Sequence, residues 1–204
     1  DPYIRSITAF TLKQAALSTL LSVLVGFVAA RALARRQVFV GRRLLLLFAS
    51  LSLVIPTTVA AAGVVTVWGR VGWIETLAGV VDLPGPGQYF YGLPGIIIAH
   101  TFLNAPLMAR MFLAALDTVP EGHWRLAAQL GMGPWARFMI VEWPATRAVL
   151  PSAASLVFML CFTSFALVLM LGGGPHSSTL EVAIYEAMRF DFDLGRAASL
   201  ALWQ

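Results

Sequence analysis

The stretch Val149-Leu150-Pro151-Ser152-Ala153-Ala154-Ser155-Leu156-Val157-Phe158-Met159-Leu160-Cys161-Phe162-Thr163-Ser164-Phe165-Ala166-Leu167-Val168-Leu169-Met170-Leu171 contains no charged residue. A hydrocarbon core of about 30 Å needs roughly 20 helical residues at about 1.5 Å each, and this run is long enough to cross it. Three further stretches reach that length. The first, about 15–33, is interrupted only by small polar residues and by Arg31 near its end. The second, about 44–68, carries Pro56 at mid-span followed by Thr57 and Thr58; the third, about 93–116, holds His100, Asn104, Pro106 and Arg110. A proline within a span is tolerated where neighbouring helices and threonine hydroxyls satisfy the freed carbonyl. A fifth span begins near Ala197 and stops at Gln204.

The composition agrees. The chain has 204 residues, 59% hydrophobic and 12% charged, with mean hydropathy +0.80. Soluble domains run at about 45–50% apolar and about 25% charged. Disorder, collagen, disulfide scaffolds and simple coiled coils are excluded by the same numbers. Cys161 is the single cysteine, so no internal disulfide is possible. The net charge is +4, yet Lys13 is the one lysine among 14 basic residues, and the arginines cluster between apolar runs. That distribution argues against nucleic acid and for a lipid bilayer. The expectation is an all-α integral membrane protein, a polytopic transmembrane helix bundle.

Basic loops stay cytoplasmic. Arg31, Arg35, Arg36, Arg42 and Arg43 join spans one and two; Arg125, Arg137 and Arg147 join spans three and four. The alternate connections hold Arg70, and then Arg189 and Arg196, so spans one and three run outside to inside; Arg5 and Lys13 are the exceptions. No signal peptide or transit segment precedes the spans, and Asp1 opens without a methionine. Both ends therefore read as cuts in a longer chain. On the outer side, Leu83-Pro84-Gly85-Pro86-Gly87-Gln88 reads as a rigid connector and Gly172-Gly173-Gly174-Pro175 as an abrupt stop to span four. Ser178-Thr179 is placed to cap a helix over 180–189 whose Leu180, Ala183, Ile184 and Ala187 share one face.

Residues 117–144 carry the functional information. Asp117 and Thr118 offer capping oxygens, Pro120 suits a first helical turn, and Glu121 and Arg125 stand four apart. Trp124, Leu126, Ala127 and Leu130 give that helix an apolar surface. Gly131 and Gly133 are suited to positive φ, and Pro134 opens a second helix expected to end before Pro144. The segment reads as a helix–turn–helix between two spans, built to receive force from a partner.

The same segment resembles the coupling loop of bacterial ABC importer permeases of the binding-protein-dependent type. Their loop runs Glu-Ala-Ala, three residues, Gly, nine residues, Ile, one residue, Leu-Pro. Aligned on Gly131, the pattern ends on Pro144 with Val141 at the isoleucine place; Ala127 matches the second alanine and is followed by Ala128. Leu126 replaces the first alanine, Trp143 the leucine, and Arg125 the glutamate, so the partner contact of that carboxylate does not carry over. The run Arg125-Leu126-Ala127-Ala128-Gln129-Leu130-Gly131 with Val141-Glu142-Trp143-Pro144 looks like the thiamine-importer branch. So do Phe158–Ala166, Leu171–Pro175 and Glu181–Tyr185. The resemblance implies a type I (MetI-like) permease in the bacterial inner membrane that moves thiamine or its phosphate esters inward. It further implies docking of the loop on a dimer of cytoplasmic ATP-binding subunits, which use the ATP and Mg. A periplasmic substrate-binding protein and a second, fused permease half complete the implied assembly, this chain being the first half. The chain itself has no Walker A pattern and no cofactor or metal motif.

Other candidates have plain alternatives. His100 and Asn104, four apart on one helix face, are costly in a span and fit either a substrate pathway or a helix–helix hydrogen bond. Arg110 near the span end fits snorkelling. Phe162 and Phe165, with Ser164 between them, fit stacking on a cationic ring or ordinary packing. Asp191 and Asp193 fit a partner or cation contact, or a solvated loop. A membrane-embedded enzyme would need intramembrane acids or a His-Glu metal motif, and no span contains Asp or Glu. A ferric-ion or other small-solute permease is the alternative within transporters, and a membrane assembly protein the alternative outside them.

Overall fold

The computed structural model describes residues 2–36, 38–52, 54–172 and 177–204, and among these the regular structure is entirely helical. In chain order the helices are α1 Pro2–Arg35, α2 Arg42–Leu51, α3 Thr57–Trp68, α4 Trp73–Val80, α5 Leu93–Asp117, α6 Glu121–Gln129, α7 Pro134–Arg137, α8 Trp143–Phe162, α9 Ala166–Leu171, α10 Leu180–Arg189 and α11 Leu194–Trp203. A π-turn, Phe138–Glu142, joins α7 to α8. Among the described residues three continuous helices are long and apolar enough to cross a membrane: Pro2–Arg35, Leu93–Asp117 and Pro134–Phe162.

Two of the expected spans are interrupted. The stretch 44–68 is two helices, because Pro56 takes an extended ψ of 135° and cannot continue α2. Near that break Ser50 and Ser52 hydroxyls bond back to the Leu46 and Ala49 carbonyls. The stretch 149–171 is broken at Thr163–Phe165 between α8 and α9. There the Gln14 amide donates to the Cys161 carbonyl at 2.8 Å, and the Thr163 hydroxyl bonds back to Met159. By contrast Pro106 and Pro151 sit inside α5 and α8 without ending them. The first helix begins well before residue 15, taking in Arg5 and Lys13. The segment from 197 belongs to the ten-residue α11.

The chain divides into two compact units. One comprises 1–19, 55–102 and 158–204. In it α10 packs on α11 and α3 on α9, and Ile7, Leu180, Ala183 and Leu200 form a buried cluster joined by Ile4, Phe162 and Ile184. The cap of α10 differs from expectation. Thr179 makes no side-chain cap bond; the Leu180 N–H is satisfied by the Thr11 hydroxyl of α1 at 3.1 Å. Asp193 caps α11 through the Arg196 N–H, and Asp191 pairs with Arg196 at 3.4 Å, so both acids are held locally. Glu75 fixes the Pro/Gly connector by accepting the Gly87 N–H at 2.8 Å. Gly173, Gly174 and Pro175, expected to stop the fourth span, lie outside the described residues.

The other unit comprises 20–54 and 103–157. Gly26 of α1 lies so close to α5 that a Cβ there would meet Met108 Cβ at 2.5 Å and the Ala105 carbonyl oxygen at 2.8 Å. Phe27, one residue on, meets Phe112 edge-on at 5.4 Å. Arg110 donates to the Ser50 hydroxyl, a partner rather than simple snorkelling. This unit holds the whole of the segment 117–144.

Candidate coupling site

α5 ends at Asp117, and the Thr118 hydroxyl bonds back to the Ala115 carbonyl at 2.7 Å. Contrary to the expectation from sequence, neither residue caps the next helix: the N-cap of α6 is Pro120, whose carbonyl accepts the His123 N–H at 3.0 Å. The other end of α6 is a Schellman turn. The Met132 N–H reaches the Ala127 carbonyl at 3.0 Å and the Gly131 N–H reaches Ala128 at 3.1 Å, with Gly131 at φ +62°. That conformation favours glycine, which lacks the Cβ that crowds the left-handed region. Gly133, also expected at positive φ, sits at φ −62° and serves as N-cap, with Pro134 as first helical residue.

The second helix does not end before Pro144. Trp143 N–H bonds to Phe138 O, a five-residue step that widens the helix where the ring of Pro144 would otherwise press on the carbonyl one turn back. The Thr146 hydroxyl then satisfies the Glu142 carbonyl at 3.0 Å. The helix continues from α7 through Pro144 into α8.

The candidate residues divide between two faces. Ala127 is 2% exposed and Val141 8%. Both line a hollow of about 390 Å³ together with Val119, Leu126, Ile140 and Pro144. Outward lie Arg125, Ala128 and Gly131, and an apolar crest of Leu126, Leu130, Trp135, Met139 and Ile140, of which Leu126 and Ile140 are exposed while also bordering the hollow. Arg125 and Glu121 form an exposed pair at 2.5 Å, of little weight in water. An exposed apolar crest beside a glycine turn offers a surface to a partner.

One buried ion cluster is missed by sequence reasoning. Glu142, 1% exposed, receives Arg31 of α1 in a direct hydrogen bond, Arg35 at 3.2 Å, and Arg137 at 3.8 Å. The Arg31 guanidinium also lies 4.8 Å over the Phe138 ring, and that ring contacts Phe27, Trp135 and Trp143. In the sequence, topology alone suffices to explain the arginine-rich end of α1. The available signal is a lone glutamate inside Phe138-Met139-Ile140-Val141-Glu142-Trp143, an apolar setting in which a carboxylate needs a cation.

The candidate pathway residues sit elsewhere. In the first unit His100 is 1% exposed with Nδ1 3.3 Å from the Ser18 hydroxyl, a partner the sequence does not reveal. Phe162 packs on the Ile7 cluster and stacks on Phe158; Phe165 rests on Tyr185 at 5.1 Å; Ser164, half-buried, lies in the break before α9. In the second unit Asn104 is buried on α5.

An all-helical membrane component with a helix–turn–helix between two of its longest helices has close counterparts. The chain belongs to the binding-protein-dependent transport system inner membrane component family, which it matches over residues 22–202. It is 48% identical over all 204 residues to the thiamine transport system permease protein ThiP of Brucella abortus (strain 2308) and to that of Escherichia coli (strain K12). The chain spans 37% and 38% of the length of those two relatives. Its fold is that of an ABC importer permease. A crystal structure of a bacterial ABC transporter involved in the import of the acidic polysaccharide alginate aligns with TM-score 0.70 and 16% identity, over 100% of this chain and 74% of that one.

Proposed function

We propose that this chain is a permease segment of an ATP-driven importer that moves thiamine, or its phosphate esters, from periplasm to cytoplasm across the bacterial inner membrane. The segment 117–144 faces the cytoplasm and docks on a dimer of separate ATP-binding subunits, which bind the ATP and Mg. A periplasmic binding protein delivers substrate, and a second permease half completes the pathway. His100, Asn104, Phe162, Ser164 and Phe165 remain the pathway candidates.

The substrate reading is supported by the likeness to named thiamine permeases along the entire chain. The coupling reading is carried by one observation: beside the Schellman turn at Gly131 stands an exposed apolar crest, with Ala127 and Val141 buried behind it. Partners are supported by the family's dependence on binding proteins. A relative in fold, the alginate transporter, has been solved in complex with its periplasmic protein.

Labelled thiamine uptake in bacterial cells lacking their own thiamine importer tests the substrate. Uptake that depends on this permease, its ATPase and its binding protein is the expected result. Equal uptake with and without the permease rejects thiamine as the cargo.

A further inference from the structure

We propose that Glu142 is a positioning residue that carries movement of the coupling segment into the first helix. The inference rests on the coupling reading given above. Arg31 and Arg35 stand one turn apart on α1, and both grip the same buried carboxylate. Arg137 approaches it from the segment's own second helix. One carboxylate thus joins the end of α1 to the point where the segment enters α8.

The junction lies in the π-turn, where Glu142 is buried against α1 while Met139 and Ile140 are exposed. Behind the clamp, α1 has little freedom to slide. Gly26 is in van der Waals contact with α5 and leaves no room for a side chain. Phe27 wedges between Phe112 and Phe138 at 5.4 and 5.8 Å. A push on the segment therefore has a stiff route through Glu142 into α1, and α1 in turn bears on α5.

Without its carboxylate the junction becomes three guanidiniums crowded in a partly buried space, which repel one another. The Gly131 turn lies outside this cluster, so docking of the segment is expected to persist. What it would lose is grip.

The test measures ATP hydrolysis and thiamine uptake in the same proteoliposomes holding the assembled transporter and its binding protein. Glu142→Gln keeps the shape but removes the charge. We expect hydrolysis within about twofold of wild type and uptake per ATP lowered roughly tenfold, with Glu142→Asp restoring part of it. An unchanged ratio overturns the proposal, as does a fall in both activities in proportion to the amount of assembled complex. Arg35→Gln, at a position 34% exposed, supplies the same ratio if Glu142→Gln does not assemble. Gly131→Val in parallel separates the two readings. A normal ratio there rejects the coupling segment itself, whereas a normal ratio only at the clamp variants rejects the clamp.

Discussion

Ala127 and Ala128 are neighbours of one type, yet the structure gives them opposite settings. Ala127 is buried against the hollow, whereas Ala128 is exposed beside the Gly131 turn. Charge at the first therefore attacks packing and charge at the second attacks only what docks there. Ala127→Glu buries a carboxylate with no cation assigned to it, and destabilisation of the order of 2–4 kcal/mol is expected. Ala128→Glu is expected to leave stability within about 0.5 kcal/mol while weakening binding of the ATPase. Thermal unfolding in detergent and co-purification of the ATPase check the pair. Equal loss of stability at both positions would remove the two-faced description of α6.

At the scale of elements, local chemistry and long-range pairing differ in how far they can be read. The helix–turn–helix is legible because its signals are adjacent: Gly131 for the left-handed turn, Pro134 for a first helical turn, and Leu126 and Leu130 one turn apart. The long apolar helices are legible from length and composition, but their interruptions are only half so. Pro56 is visible as a proline, and whether a span absorbs it depends on neighbours that no local pattern names. Pro106 and Pro151 are absorbed and Pro56 is not. The Thr11 cap of α10 and the Arg31–Glu142 pair join residues 169 and 111 positions apart, and nothing near either partner announces the other. The cap is open to test. Thr11→Val removes the hydroxyl and leaves the Leu180 N–H unsatisfied in a buried setting, so a loss of about 1 kcal/mol is expected. Urea or thermal unfolding should show it, with local deprotection of α10 amides in hydrogen exchange. Unchanged exchange in α10 would mean that the cap carries no weight.

For the whole molecule, the excess of apolar residues over any soluble domain is accounted for by three membrane-length helices and by shorter apolar helices packed beside them in the two units. The polar minority is placed with purpose. Three buried polar residues on α1 serve partner backbone and side chains: Thr11 caps α10, Gln14 holds Cys161, and Ser18 meets His100. The arginines at its other end hold Glu142. Family membership, and 48% identity along all 204 residues to a part of the thiamine permeases, place the chain among the membrane components of binding-protein-dependent transport systems. The Gly131 turn is where that machine's energy source is proposed to connect.

That connection is tested most directly by uptake of labelled thiamine per ATP hydrolysed, in proteoliposomes carrying the assembled transporter with Gly131→Val. A Cβ at residue 131 would meet nothing within 4 Å, so the substitution is not opposed by a close neighbour. It acts through the strained φ of +62° and the altered turn surface. Uptake per ATP lowered by about tenfold or more, with the permease still assembled in the membrane, is the predicted result. Uptake per ATP equal to wild type would contradict the assignment of residues 117–144 as the coupling segment.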